Sequence, residues 1–138
     1  MKKTICLISM LIIGYYAFSQ QYKLIVKVEG LKSTTGNLVV GVYQSSPDFL
    51  KKEFTSATIP VESRNQQFTL SGMPGGSYAI AIYHDENEDG KLTANFMGLP
   101  KEGYAFSNNA RGLVGPPDFN KAAIKLYGDR KITIIMKY

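Results

Sequence analysis

A run of oxygen-bearing side chains lies at residues 85–93. It reads Asp-Glu-Asn-Glu-Asp-Gly-Lys-Leu-Thr, so Asp or Asn stands at the first, third and fifth positions and glycine at the sixth. This is the spacing of the first half of an EF-hand calcium loop, where alternate oxygens face the ion and glycine makes the sharp turn. The predicted calcium ligands are Asp85, Asn87, Asp89, Lys91 through its carbonyl, and Thr93.

The same segment departs from the EF-hand pattern. Its twelfth position, where a bidentate carboxylate is expected, is Phe96, and a strand rather than a helix is predicted before it. An ion would need a further carboxylate, from Glu86, Glu88, Glu102 or Asp118. The alternative is a turn in which Asp and Asn side chains bond their own backbone and Gly90 adopts a positive φ. Both interpretations stay open at this point.

Catalytic chemistry has little support in the sequence. His84 is the single histidine, and a general base would need a nucleophile within reach, yet Ser77 and Ser107 lie in no recognisable nucleophile motif. One histidine and no cysteine after residue 20 leave too few ligands for zinc. Acids clustered on one turn are not placed on opposite sides of a sugar, as a glycosidase requires. We therefore predict no catalytic residue and no enzyme activity.

The segment at residues 98–109 is the other candidate for a binding role. It combines turn residues with two aromatic side chains, a serine and two asparagines. Such a mixture suits a surface that binds a carbohydrate or a peptide, but it equally suits a loop that packs its aromatic rings inward. The absence of tryptophan from the sequence favours the inward packing. The candidate ligand-surface residues are His84, Tyr104, Phe106, Ser107, Asn108 and Asn109.

Residues 1–20 have the pattern of a secretory signal peptide. Lys2 and Lys3 precede an apolar run at residues 5–13, and small residues follow at Ala17 and Ser19. The run is short for a membrane span, and no later apolar run would stop transfer, although an uncleaved anchor is the alternative. We expect export to the periplasm or the exterior, no membrane span after cleavage, and a single domain at residues 21–138.

The charge and cysteine content of that domain exclude several classes. Two of the 16 basic residues and none of the 11 acidic ones lie in residues 1–20, which leaves a net charge of +3. The basic residues are scattered rather than clustered with aromatic side chains, which argues against nucleic acid as a partner. The lone cysteine, Cys6, lies in the predicted signal peptide, so the domain has no disulfide to stabilise it.

Alternating apolar and polar residues predict an all-β fold. The predicted strands are 22–29, 38–43, 57–62, 66–71, 77–84, 119–127 and 130–137, the last two forming a hairpin. Residues 47–54 are predicted as a short helical turn or an irregular crossover. Seven short strands favour an immunoglobulin-like or transthyretin-like antiparallel sandwich with one long ordered loop. The glycine turn before Tyr78 resembles a tyrosine corner, although a plain hairpin entry would look the same.

Two of these strands are apolar on both faces, which is unusual for an antiparallel sandwich whose outer faces meet water. Residues 77–84 carry Ala79, Ala81 and Tyr83 on the second face, and residues 38–43 carry Val39, Gly41 and Tyr43. Residues 85–118 form the segment long enough to cover that face. We predict that they form an ordered lid packed on one sheet.

A family resemblance follows from these segments. The run at residues 78–87, the Gly-Lys-Leu at 90–92 and the stretch at 98–109 resemble the domain of unknown function 2141 family. The Gly-x-Leu-Val-Val run at 36–40 and the Gly-Pro-Pro turn at 115–117 fit as well. The resemblance implies a small exported bacterial β-sandwich with no known activity. An acidic residue is common in that family at the position of Thr93, which weakens the calcium interpretation.

The sequence therefore predicts an exported, non-enzymatic binding or structural module of the bacterial cell envelope. The alternative is a calcium-stabilised domain that binds carbohydrate or peptide, and an unrecognised hydrolase is a distant third. An envelope protein or a glycan is the expected kind of partner.

Overall fold

A computed structural model describes residues 18–138 of the 138-residue chain. Most of the predicted signal peptide, including its basic residues, its apolar run and Cys6, lies outside the described residues. Residues 18–138 form eight strands. They are β1 (Gln21–Glu29), β2 (Asn37–Tyr43), β3 (Thr55–Pro60), β4 (Gln66–Pro74), β5 (Gly76–Asp85), β6 (Tyr104–Phe106), β7 (Ile124–Leu126) and β8 (Arg130–Ile135). A one-turn helix, α1 (Phe119–Ala122), precedes β7, and a 3-10 turn (Ser107–Asn109) follows β6.

The strands form two sheets. The three-stranded sheet has the order β4-β1-β8, and the five-stranded sheet has the order β3-β2-β5-β6, with β7 also paired to β5. The two sheets enclose a core to which the alternating positions of β1, β2 and β5 contribute their apolar side chains, such as Val26, Val40 and Ile80. The all-β, two-sheet prediction is thus confirmed, because period-two alternation places every second side chain in one interior.

The predicted hairpin at the end of the chain is wrong. Strand β7 pairs antiparallel with the start of β5, from Gly76 to Tyr78, whereas β8 pairs with β1 in the other sheet. Residues 119–122, predicted as the start of a strand, form α1 instead. The turn at residues 127–129 therefore carries the chain from one sheet to the other.

The pairing of β8 also corrects the antiparallel prediction. Strand β8 runs parallel to β1, with Leu24 opposite Arg130 and Glu29 opposite Ile135. A period-two pattern shows which side chains share a face but is the same for both strand directions. The remaining pairs are antiparallel. The fold is a two-sheet, β-sandwich-like structure with one parallel pair rather than a seven-stranded antiparallel sandwich.

Tyr78 anchors the start of β5. Its side chain is fully buried, and its hydroxyl donates a hydrogen bond of 2.6 Å to the carbonyl of Pro74, four residues earlier. A tyrosine hydroxyl that bonds back to backbone a few residues upstream is the defining contact of a tyrosine corner. The segment before Tyr78 therefore makes the predicted corner rather than a plain hairpin entry.

Residues 47–54 form an irregular crossover between β2 and β3, one of the two predicted alternatives. Amides of Lys51 and Lys52 donate to the carbonyl of Asp48, and the amide of Phe54 donates to the carbonyl of Val42. This crossover brings Phe49 against the outer face of the five-stranded sheet, where its ring contacts those of Tyr43, Phe106 and Phe119.

Candidate functional site

The acidic loop after β5 uses its carboxylates on its own backbone. The side chain of Asp85 is buried, and its two oxygens accept the amides of Asp89 at 3.1 Å and Gly90 at 2.8 Å. Asn87 accepts the Asp89 amide at 3.3 Å, and Asp89 accepts the Lys91 amide at 2.8 Å. Gly90 has a φ of 75°. These contacts match the predicted turn, in which short polar side chains satisfy nearby amides.

Glu102 closes the same loop from its other end. Its carboxylate is buried and accepts the amides of Glu86 at 3.1 Å and Thr93 at 2.9 Å. Among the described residues, no group of three or more His, Cys, Asp or Glu side chains is placed to hold a metal ion. Calcium binding at Asp85, Asn87, Asp89, Lys91 and Thr93 stays a prediction, and the side-chain oxygens of the first three residues bond backbone amides instead.

His84 lies in the interior rather than on a ligand-facing surface. Its side chain is fully buried, with Nε2 at 2.7 Å from the carbonyl of Thr35 and Nδ1 at 2.7 Å from the hydroxyl of Tyr138. A carbonyl can only accept, so Nε2 carries a proton, and Nδ1 shares a hydrogen bond with the tyrosine hydroxyl. The Tyr138 hydroxyl in turn accepts the amide of Lys32 at 3.1 Å. Both ring nitrogens are occupied, so His84 joins two loops and faces no substrate.

Ser107 is also buried, contrary to its predicted place on a ligand surface. Strands β6 and β7 pair with one edge of β5, at residues 81–83 and 76–78, and leave Ile80 between them. The Ser107 hydroxyl accepts the Ile80 amide at 2.9 Å and donates to the carbonyl of Ala122 at the end of α1. Ser107 therefore fills the gap in the sheet edge and attaches α1 to it.

Asn108 and Asn109 bond backbone as well, rather than facing a ligand's hydroxyl groups. Both have positive φ, which asparagine tolerates better than most residues. Asn108 donates to the carbonyls of Lys121 and Ala123 at 3.2 and 2.9 Å. Asn109 accepts the Ile135 amide at 2.9 Å, so its side chain continues the hydrogen bonding of β8. The three polar residues after β6 thus attach α1 and β8 to the five-stranded sheet.

The outer face of the five-stranded sheet is covered at one end. There the side chains of Ala79, Phe106, Phe119 and Ala122 are buried around the ring of Phe49. Tyr43 joins this cluster and lies across Gly41, where a Cβ atom would come within 2.8 Å of the tyrosine hydroxyl. The small residues on this face thus allow close packing, as the sequence predicted.

The rest of that face is the floor of a cavity of about 610 Å³, here named the outer-face cavity. Val39, Gly41 and Ala81 lie on the floor, and the walls are residues 92–100 on one side and residues 112–116 on the other. Most of the lining is apolar. The predicted lid over residues 85–118 is correct only in part. Residues 104–106 form β6 within the sheet itself, and the segments before and after it form the walls and leave a space above the strands.

Three large apolar residues in the two segments that form the walls face solvent. Phe96 is 98 % exposed, Leu113 is 101 % exposed and Val114 is 97 % exposed. Tyr104 and Phe106, in contrast, pack against the sheet with their ring centroids 6.2 Å apart, and both line the cavity. Of the predicted ligand-surface residues, these two aromatic residues line the outer-face cavity, and the exposed Asn109 lines a smaller neighbouring one.

The polar groups of the cavity are few. The hydroxyl of Tyr43 donates to the carboxylate of Glu53 at 3.4 Å, and burial, reinforced by that carboxylate, raises the pKa of Tyr43 to about 12. Tyr83 donates to the carbonyl of Gly90 at 2.9 Å, and burial beside Asp85 raises its pKa. Both tyrosines therefore stay neutral at physiological pH and can orient a ligand by hydrogen bonds.

The comparisons with known proteins bear on this site through one result. A family model described as "Uncharacterized protein conserved in bacteria (DUF2141)" matches residues 26–134. The chain belongs to the DUF2141 family. The match extends from β1 to β8 and includes both walls of the outer-face cavity. Comparisons with curated proteins and with solved structures give no match for this DUF2141 chain.

No helix among residues 18–138 of this DUF2141 chain is long and apolar enough to cross a membrane.

Sequence reasoning missed the outer-face cavity itself, although the signal for it was present. Val39, Gly41 and Ala81 stand at alternate positions on a face that should have met water. Those residues indicated that something covers the face, but not that the cover stands away from it.

Proposed function

We propose that this DUF2141 protein is an exported, non-enzymatic binding module that takes a small apolar molecule into the outer-face cavity. The observation that carries the proposal is the cavity, about 610 Å³ in volume, between an apolar sheet face and two loops. Ligand sites of small molecules have volumes of roughly 300 to 1,000 Å³, mostly apolar walls and a few polar groups. The outer-face cavity has each of these properties.

The position of the cavity supports binding rather than structure as its role. A sheet face that needed only to be covered would be filled by close-packed side chains, as the interior between the sheets is. Here Leu113 of one wall and the neighbouring Phe96 and Val114 are exposed to solvent, while the floor stays open. An apolar ligand would remove the floor from water at about 25 cal/mol per Å² of buried area.

The non-enzymatic part of the proposal rests on the surroundings of the reactive side chains. His84 and Ser107 are buried with their polar atoms bonded inside the protein, and the carboxylates of Asp85 and Glu102 accept backbone amides.

The proposed export rests on the pattern of residues 1–20, with a periplasmic or extracellular destination. Fractionation of a bacterial host that expresses the full chain tests it, and retention in the cytoplasm would contradict it.

Binding of a neutral fluorescent probe, N-phenyl-1-naphthylamine, tests the function directly. We expect its emission to rise on addition of the protein, because the probe enters an apolar environment. Substitution Ala81→Phe places a ring in the floor of the cavity and should weaken probe binding at least about tenfold, the equivalent of about 1.4 kcal/mol.

The matched control is Thr69→Phe, which adds the same ring at an exposed position of β4 in the other sheet. Circular dichroism should show that both variants keep the β fold. Absence of probe binding, or binding that Ala81→Phe and Thr69→Phe affect equally in folded protein, would contradict the proposed function.

A further inference from the structure

A second, smaller cavity lies beside the outer-face cavity. Its volume is about 160 Å³, room for a compact polar group but not for a second ligand of ordinary size. The two cavities share four lining residues, which are Tyr104, Phe106, Gly112 and Gly115. The two cavities therefore lie side by side, with these four residues at their common boundary.

The smaller cavity differs from the larger one in charge. Arg111 and Lys137 line it, and the described residues that line it include no acidic side chain. Within residues 18–138, Lys27 forms an ion pair with Glu29, and Nδ1 of His84 lies 3.8 Å from the carboxylate of Glu86, so neither cation of this cavity is used in such a contact. In the larger cavity, Glu53 is the charged residue among the described lining.

Backbone contacts bring the two cations to one place. The side chain of Asn109 accepts the Ile135 amide, so the segment that carries Arg111 lies against the end of β8. Lys137 follows two residues after Ile135, and its amide and carbonyl exchange hydrogen bonds of 3.0 and 2.8 Å with Tyr104. Both cations are therefore attached to ordered backbone at the edge of the smaller cavity.

We infer that the ligand of this protein is an anionic amphiphile, with its apolar part in the outer-face cavity and a carboxylate or phosphate between Arg111 and Lys137. This inference rests on the proposed function and adds the chemical class of the ligand. The guanidinium of an arginine binds carboxylate or phosphate through two parallel hydrogen bonds, and a lysine ammonium adds a second charge. Glu53, in the larger cavity, would disfavour an anionic head at that other end.

The test compares four ligands with one decyl chain and different heads: decanoate, decyl phosphate, decanol and decylamine. Each displaces N-phenyl-1-naphthylamine from the purified protein at pH 7, where the carboxylate is ionised. We expect one or both anionic ligands to bind about tenfold more tightly than decanol, and decylamine more weakly than decanol. The ratio of decanoate to decyl phosphate distinguishes a carboxylate from a phosphate ligand.

The double variant Arg111→Gln with Lys137→Gln should lower the affinity for the anionic ligands about tenfold, to near that for decanol, and change the affinity for decanol much less. The double variant Lys125→Gln with Lys131→Gln, at exposed positions of β7 and β8, is the control for the loss of two positive charges. Equal affinity for all four ligands, or a preference for decylamine, would overturn the inference while the proposed function stands. Failure of the probe itself to bind would contradict the proposed function instead.

Discussion

Substitution Ser107→Ala separates a structural role for this residue from a ligand-binding one. The Ser107 hydroxyl bonds the Ile80 amide and the Ala122 carbonyl inside the protein. Its loss leaves two backbone groups without partners, and each such buried group costs about 1 to 3 kcal/mol. For two groups the cost is about 2 to 6 kcal/mol, and we expect a loss of about 3 kcal/mol in the free energy of unfolding because little side-chain volume is removed.

The same loss can be read as a shift in melting temperature. Unfolding entropy is about 2.1 cal/mol/K per residue, so a domain of about 120 residues loses roughly 4 °C for each kcal/mol. Ser107→Ala should therefore lower the melting temperature by about 12 °C. Urea unfolding should show a lower midpoint with an unchanged slope, because the surface exposed on unfolding is the same.

The control for this experiment is Ser71→Ala, at an exposed position of β4. It should change the free energy of unfolding by less than about 0.5 kcal/mol, as surface substitutions generally do. A loss below about 1 kcal/mol for Ser107→Ala would refute the role assigned to Ser107 in the edge of β5. Loss of probe binding without loss of stability would indicate that Ser107 contacts the ligand, as the sequence analysis predicted.

Three further predictions concern other contacts. Tyr78→Phe removes the hydroxyl that donates to Pro74 and should cost about 1 kcal/mol in urea unfolding, and no measurable change would exclude the corner contact. Tyr43 ionises near pH 10 when unfolded but at about 12 when folded, so its contribution to stability is full below pH 10 and is lost as the pH rises toward 12. Wild-type protein should lose more stability between pH 9 and 11 than Tyr43→Phe does, and equal losses would contradict this. Calcium at about 2 mM should move the melting temperature by less than about 1 °C because Asp85 already accepts two amides, whereas a site of 10⁻⁴ to 10⁻³ M affinity would raise it by about 3 to 7 °C.

The strands with regular alternation were predictable from the sequence. The ranges of β1, β2 and β5 agree with their predictions to within a residue or two. Strand β1 alternates apolar and polar side chains, whereas β2 and β5 are short apolar runs bounded by turn residues. The corner at Tyr78 was predictable for a similar reason: it depends on a few neighbouring residues. These features were predictable because each depends only on residues that are close together in the sequence.

The end of the chain was not predictable in this way. Strands β7 and β8 are separated by a short turn, which favours a hairpin, yet each pairs with a distant strand. The choice of partner depends on which exposed edges the rest of the fold leaves open, and β5 leaves one beside Gly76 while β1 leaves another. No pattern within residues 119–137 contains that information.

The polar residues after β6 show the same limit at the candidate site. Ser107, Asn108 and Asn109 have side chains that bind ligands and backbone equally well, so their types alone do not decide between the two. Their partners are backbone groups of α1, β5 and β8, far away in sequence. The outer-face cavity needed the same long-range information, because its walls come from two separate segments.

The parallel pair of β1 and β8 has a consequence for how the chain reaches this fold. Leu24 and Arg130 are partners across that pair, so the three-stranded sheet cannot be completed before the chain is available through β8. Contacts between residues so far apart slow folding, because a large loop must close before any of them forms. The three-stranded sheet should therefore form late in folding and cooperatively. Until β8 pairs with β1, the edge of β1 is exposed and can pair with another chain, which promotes aggregation.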